Sequence, residues 1–305
     1  MYRIGIDGGG TRSRFAVLEN GKELFRCESG GLNYNSYGEK EILSNLLAAM
    51  TALTKAGFKP QDCAGIGAGA AGISNPKAIP FLKGSLRKQG FSCPIVIAGD
   101  QEAALVGGIG KKAGILLIAG TGSICMAQDG RGNRFRTGGY GHIIDDAGSA
   151  YAVGRDILNA VVRARDGRAN PTALEERVFE TLSVKTMEEV IAYIYAPERN
   201  KKDIAALASI LTDTLILEDA AAGRIAAHAA EELTLLVIAA LAQINSSAVR
   251  TENGPECFPL LLEGGLILKN REINRMFWRI LQEKEIPVFP AQKEHDAAYG
   301  AALLL

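Results

Sequence analysis

The chain is poor in the residues that build metal centres and nucleic-acid surfaces. Its five cysteines stand far apart, at 27, 63, 93, 125 and 257, with no Cys-x-x-Cys pair. That spacing predicts reduced thiols in a cytoplasmic protein and argues against a zinc or iron–sulfur site. Histidine occurs three times and tryptophan once. Neither sign of charge dominates: 34 Lys and Arg balance 34 Asp and Glu, basic residues do not cluster, and no nucleic-acid partner is expected. The strongest apolar run, 233–242, is too short to cross a bilayer, and Asp7 interrupts the first strand pattern. Neither a membrane span nor a signal peptide is therefore expected. What remains is an ordinary globular composition, 47% hydrophobic and 22% charged, over 305 residues that suffice for two domains.

Glycine, by contrast, is plentiful, with 35 copies, and its placement is informative. Ile4-Gly5-Ile6-Asp7-Gly8-Gly9-Gly10-Thr11-Arg12-Ser13 starts as a buried-strand run, then gives an Asp, three glycines and two hydroxyl residues. Phe15-Ala16-Val17-Leu18 resumes a strand, Asn20-Gly21 supplies a hairpin turn, and 22–27 returns. The glycine loop thus joins antiparallel strands, whereas in a Walker or dinucleotide site it opens a helix. Backbone amides at Gly8, Gly9 and Gly10 can curl round an anion. Asp7 can hold a hydrated Mg²⁺ against that anion. Taken alone, the loop is equally a glycine-rich hairpin whose turn Asp7 caps. The pattern recurs, however. Residues 114–119 read as a buried strand, Gly120-Thr121-Gly122-Ser123 as a second glycine and hydroxyl loop, 124–127 as a strand, and Asp129-Gly130 as a turn. This repetition suggests two similar halves, each offering a phosphate-cradling hairpin.

Between the hairpins the pattern predicts a turn-rich loop over 29–35 and a helix over 39–56 with Ile42, Leu46, Met50 and Leu53 on one face. A short strand at 64–68, a loop of small residues at 69–72, a helix at 76–89, a buried strand at 94–98 and a short helix at 101–107 follow. This is the element order of a ribonuclease H-like half. Asp100 sits at the carboxyl end of a strand, where ligands gather in open α/β sheets. It also suits the N-cap of the next helix. In the second half, residues 138–150 combine four glycines with Tyr140, His142 and the adjacent carboxylates Asp145 and Asp146. With a helix expected over 147–165, one carboxylate is expected to cap it and the other to face a ligand. Further helices are expected at 172–182, 187–195, 202–217 and 219–249. The stripe Leu233, Leu236, Val237, Ala240 and Leu241 reads as core. A strand at 258–262, the pair Gly264-Gly265, a helix at 271–283, a strand at 286–289 and a closing helix at 295–305 complete the pattern.

These motifs resemble the sugar kinase and actin superfamily, and within it the BadF/BadG/BcrA/BcrD-type ATPase family, in its N-acetylglucosamine kinase-like group. The two hairpin loops have the form of that superfamily's phosphate loops. Ala98-Gly99-Asp100-Gln101-Glu102-Ala103-Ala104 is similar to its Asp-Ala-Ala segment, and 138–150 to its sugar loop. The resemblance implies an α/β fold of two ribonuclease H-like (actin-like ATPase) domains with an inter-domain cleft and a helical insertion in the second. The first would span 1–113 with the closing segment 291–305, the second 114–290. The implied activity is an ATP-dependent kinase phosphorylating an amino sugar (N-acetylglucosamine, N-acetylmuramic acid or glucosamine), with the 6-hydroxyl the expected acceptor. By resemblance, Asp100 is the catalytic base, and Asp7 holds Mg²⁺ through water. Gly8, Gly9, Gly10, Thr11, Gly120, Thr121, Gly122 and Ser123 bind ATP, and Gly264 and Gly265 lie under its adenosine. Asn33, Asp100, Thr121, Gly139, Tyr140 and Asp146 contact the sugar. His142, as a lone histidine, reads as structural or orienting and not as catalytic.

The match has departures. Tyr140 stands where Trp is common, and Asp145-Asp146-Ala147 replaces Gly-Asp-Glu, which leaves the choice of sugar open. The helical insertion leaves room for a homodimer. The alternative within the family is a BadF-type ATPase, the activator of a 2-hydroxyacyl-CoA dehydratase, here without its own cluster cysteines. A sugar-responsive repressor would need a helix-turn-helix, a ROK-type hexokinase a His/Cys zinc cluster. A non-catalytic actin-like scaffold would release no ADP on adding sugar.

Overall fold

The computed structural model describes residues 1–213, 216–247 and 257–305, the side chains of 245–247 aside. The chain divides into two compact units. One comprises Met1–Lys112, Gly130–Arg134 and Gln292–Leu305; the other comprises Ala113–Asp129 and Phe135–Ala291.

The first unit is built on five strands: β1 (Tyr2–Gly8), β2 (Arg12–Glu19), β3 (Lys22–Gly30), β4 (Cys63–Ala70) and β5 (Ile95–Gly99), in the order β3-β2-β1-β4-β5. β1, β2 and β3 form an antiparallel meander, and β4 and β5 run parallel to β1. Asn20 and Gly21 both adopt positive φ, 51° and 77°, which matches the right-handed twist of the β2–β3 hairpin. Ile4, Ile6, Phe15 and Val17 are buried against Ile42, Leu46, Met50 and Leu53 of the helix Glu39–Lys55, the stripe its sequence predicts. The other sheet face lies close under the helix Ala297–Ala302. A side chain on Gly5 or Gly67 would run into the carbonyls of Ala298 or Ala301, so glycine is required there.

The second unit repeats the plan with β6 (Gly114–Ala119), β7 (Ser123–Gln128), β8 (Arg134–Gly138), β9 (Phe258–Glu263) and β10 (Val288–Pro290) in the order β10-β9-β6-β7-β8. β6 and β7 are antiparallel, while β9 is parallel to both β6 and β10. Between β8 and β9 stand the helices Ala150–Arg165, Leu174–Leu182, Met187–Tyr195, Lys201–Ala206 and Ala220–Ser247. The segment Ala220–Ile244 is long and apolar enough, by length and composition alone, to cross a membrane. The ten-residue run expected to be too short therefore sits inside a longer apolar helix. Ala222, Ala226, Leu233, Val237, Ala240 and Leu241 of this helix join the unit's buried core.

Three expectations need correction. The helix after the sugar loop begins at Ala150, not 147, and neither Asp145 nor Asp146 caps it. Ser149 is the cap, its hydroxyl accepting the Ala152 amide at 3.2 Å. The expected helix over 202–217 is instead Lys201–Ala206 followed by 3₁₀ turns at Leu207–Thr212 and Ile216–Glu218, with residues 214–215 outside the described residues. The closing helix is shorter than expected, Ala297–Ala302. The expected end at 249 of the long helix also lies outside the described residues.

Candidate functional site

In the first unit the functional side chains gather at the carboxyl ends of β1, β4 and β5. Asp7 pairs with Gly69 across β1 and β4, and Ala70 with Gly99 across β4 and β5, so Asp7 and Asp100 flank one sheet edge. Gly99 is the N-cap of the helix Asp100–Ile109, with its amide donating to the Glu102 carboxylate at 3.1 Å. Asp100 is thus the first helical residue, and its own carboxylate accepts the Gln101 amide at 3.0 Å. Capping therefore falls to Glu102 and Gly99, and the Asp100 carboxylate is left for another task. Burial pushes the Asp100 carboxyl above its ordinary value, with the Gln101 amide pulling against it. Burial likewise raises Asp7. Arg14, 3.6 Å away, opposes that shift and the neighbouring Asp100 adds to it. A third carboxylate nearby, Asp296, is occupied by structure. It pairs with Arg26 and accepts the Tyr299 amide at 3.0 Å as a helix cap. Burial raises its pKa, but Arg26 and that amide outweigh burial and hold it below the ordinary range.

The loop of residues 8–11 shows why its glycines differ. A Cβ on Gly9 would lie 2.7 Å from the Arg12 carbonyl, so packing demands that glycine. Gly10 has φ outside the left-handed region, and a Cβ there would meet only Asn33 Nδ2, at 4.0 Å. Neither strain nor packing demands a glycine at 10, and the open space there would admit a ligand. Asn33 is held beside it, its Oδ1 accepting the Asn35 amide at 2.9 Å.

In the second unit the loop of residues 120–123 is fastened to the helix Ala150–Arg165. The Ala150 amide donates to the Gly120 carbonyl at 2.9 Å, and that of Tyr151 to Thr121 at 3.3 Å. The Ser123 hydroxyl donates to the Ala147 carbonyl at 2.7 Å. Asp146 is 4% exposed and adopts φ 58°, a conformation that Asp tolerates better than most residues. Its carboxylate faces Gly122, where a Cβ would stand 2.7 Å from Oδ2. Among the described residues no hydrogen bond to that carboxylate is found, and its oxygens are not sealed from solvent, so they are open to water or a ligand. Gly138 and Gly139 both have positive φ, and side chains there would strike Leu236 and Ile124. Tyr140 is exposed, and His142 packs edge-on against Tyr151 at 4.8 Å, a structural contact.

Sequence reasoning missed Arg136. Its guanidinium lies 4.2 Å over the Tyr140 ring and donates to the carbonyls of Gly138 at 3.0 Å and Gly139 at 3.4 Å. An arginine two residues before a glycine pair was the available signal, but only the fold bends the loop back onto it.

Gly264 has φ 99°, and a Cβ on it would strike the Ala119 carbonyl, so the tight turn alone requires this glycine. Gly265 faces open space beside a cavity of about 220 Å³. Ala150, Ala205, Ala208, Ser209, Leu266 and Asn270 contribute to its mostly apolar wall. An apolar recess with a few polar groups next to a glycine loop suits a flat heteroaromatic base.

A family model matches residues 4–304, almost the whole chain. The chain belongs to the BadF/BadG/BcrA/BcrD ATPase family. As a member of this family it is similar to an N-acetylmuramic acid/N-acetylglucosamine kinase of Clostridium acetobutylicum, at 33% identity over 99% of this chain and 97% of that protein. It is also similar to an N-acetyl-D-glucosamine kinase of Dictyostelium discoideum, 29% identical over 99% of this chain and 96% of that one. A solved structure from Chromobacterium violaceum shares the fold with a TM-score of 0.72 at 23% identity, covering 99% of this chain and 98% of that one.

Proposed function

We propose that this family member is an ATP-dependent kinase of amino sugars. Curated relatives along nearly the full length carry that activity in their names. The observation that carries the reading is the half-buried pair Asp7 and Asp100 beside a loop whose Gly10 leaves open space for a ligand. Phosphoryl transfer needs positioning and charge neutralisation more than covalent chemistry. Backbone amides of residues 8–11 and 120–123 suit phosphate oxygens, and the recess beside Gly265 suits the adenine.

The donor set also fits Mg²⁺, a hard cation that keeps several waters and takes one or two carboxylates plus substrate phosphates. Asp7 would hold it through water, and the ion would supply charge neutralisation at the transferred phosphoryl group. Asp100 takes the proton from the attacking hydroxyl and aims its oxygen. Asn33, Thr121, Gly139, Tyr140 and Asp146 bind the sugar, with the 6-hydroxyl presented. We place the enzyme in the cytoplasm and leave its assembly as a homodimer to be measured.

The iron–sulfur activator reading has less support, because Cys257 alone of the five cysteines is exposed. The deciding experiment is a coupled ADP-release screen over N-acetylglucosamine, N-acetylmuramic acid and glucosamine with Mg²⁺. Sugar-dependent ADP release is expected, and phosphorus NMR of the product gives the acceptor hydroxyl. Steady ADP release that no sugar accelerates would overturn the reading.

A further inference from the structure

Arg136 is an exposed cation fixed beside the sugar loop. Two of its donors are spent on the Gly138 and Gly139 carbonyls, and its plane lies over the Tyr140 ring. These contacts orient the guanidinium without neutralising it. Among the described residues it has no carboxylate partner within ion-pair distance, although most arginines of this chain that make side-chain contacts do so with Asp or Glu. Among the described residues the Nη1 donors meet no protein acceptor. A planar guanidinium held in one orientation is suited to a carboxylate, which it can grip with parallel hydrogen bonds. Because it is pinned in advance, little side-chain freedom is lost when a carboxylate arrives.

We propose that Arg136 is the specificity residue that favours an acidic amino sugar, one bearing a carboxylate substituent, over its neutral counterpart. This rests on the kinase reading above and on Tyr140 lining the sugar site. A neutral sugar gains nothing from Arg136. An acidic one gains a charge-assisted contact in addition.

The test compares kcat/KM for N-acetylmuramic acid and N-acetylglucosamine in the parent, Arg136→Gln and Arg136→Lys. Glutamine keeps a donor for the glycine carbonyls and removes the charge; lysine keeps the charge. The acidic-to-neutral ratio is expected to fall about tenfold or more in Arg136→Gln, the scale of one hydrogen bond to a charged group. In Arg136→Lys most of the ratio is expected to survive. In the parent the ratio should also fall as salt rises, since screening weakens a half-exposed ion pair. A structural role for Arg136 would lower both substrates together and leave the ratio untouched. An unchanged ratio in Arg136→Gln, or a parent active on the neutral sugar alone, overturns the assignment while leaving the kinase standing. A parent active on glucosamine alone also overturns the assignment, and one that phosphorylates no amino sugar overturns the kinase reading with it.

Discussion

The Ser149 hydroxyl accepts the Ala152 amide and so starts the helix that Asp145 and Asp146 were expected to cap. The two roles foreseen for the carboxylate pair are thereby separated. Ser149→Ala should destabilise the protein by about 1 kcal/mol, the usual worth of a lost N-cap. Thermal melting checks this, and a substitution with no effect would return the cap to a neighbour.

Asp146, relieved of capping, is a buried residue whose carboxylate has no hydrogen-bond donor among the described residues. The informative variant is Asp146→Asn, since Asn keeps the left-handed backbone that Ala would strain. Hydrogen bonds to a charged partner are worth about 1.5–3 kcal/mol, so sugar affinity should fall by roughly one to two orders of magnitude. ATP affinity and melting temperature should hardly move. Equal loss of sugar and ATP binding in calorimetry would mean the residue serves the loop and not the sugar.

Gly10 offers a test in which the fold is not at stake. A Cβ there has open space, so Gly10→Val should fold as the parent does. If ATP phosphates approach this loop, the variant should bind ATP roughly tenfold or more weakly, the scale of a lost contact to a charged group. Titration calorimetry decides, and parent-like affinity would remove the loop from the nucleotide site.

How much of this was legible in the sequence depends on whether the signal was local. The hairpins were legible because glycine and hydroxyl residues interrupt apolar runs at positions where strands must turn, and Asn20-Gly21 carries its own turn chemistry. The end of β5 at Gly99, just before Asp100, was legible for the same reason. The start of the helix at Ala150 was not, because Asp145, Asp146 and Ser149 are all good caps and only tertiary packing chooses among them. The helix expected over 202–217 broke up for a non-local reason. Ser209 and Thr212 turn their hydroxyls onto the carbonyls of Ala206 and Ser209, and Asn270, far along the chain, donates to the Leu211 carbonyl. Side chains that compete for backbone groups in this way favour tight turns over helix. Arg136 escaped notice because its partners are carbonyls, which no residue type announces.

Asp100 carries the sharpest prediction, because kinetics and stability test it separately. As the base it should lose about 10²-fold or more in turnover on Asp100→Asn, the usual contribution of a positioned proton acceptor. Helix capping is no confounder, since Gly99 and Glu102 make that junction. The pH dependence of stability supplies the second test in Mg²⁺-free protein. Burial raises the Asp100 carboxyl above the ordinary value of 3.8 in the folded state. The folded chain therefore binds this proton more tightly than the unfolded chain. Its stabilising share is present in full below that ordinary value and is lost as pH rises through the raised one. Asn carries no such proton. The melting temperature of Asp100→Asn relative to the parent should therefore climb as pH rises from below 3.8 towards neutrality, then level off. A constant difference across that range would mean that Asp100 is not desolvated. Near-parent turnover would mean that it is not the base.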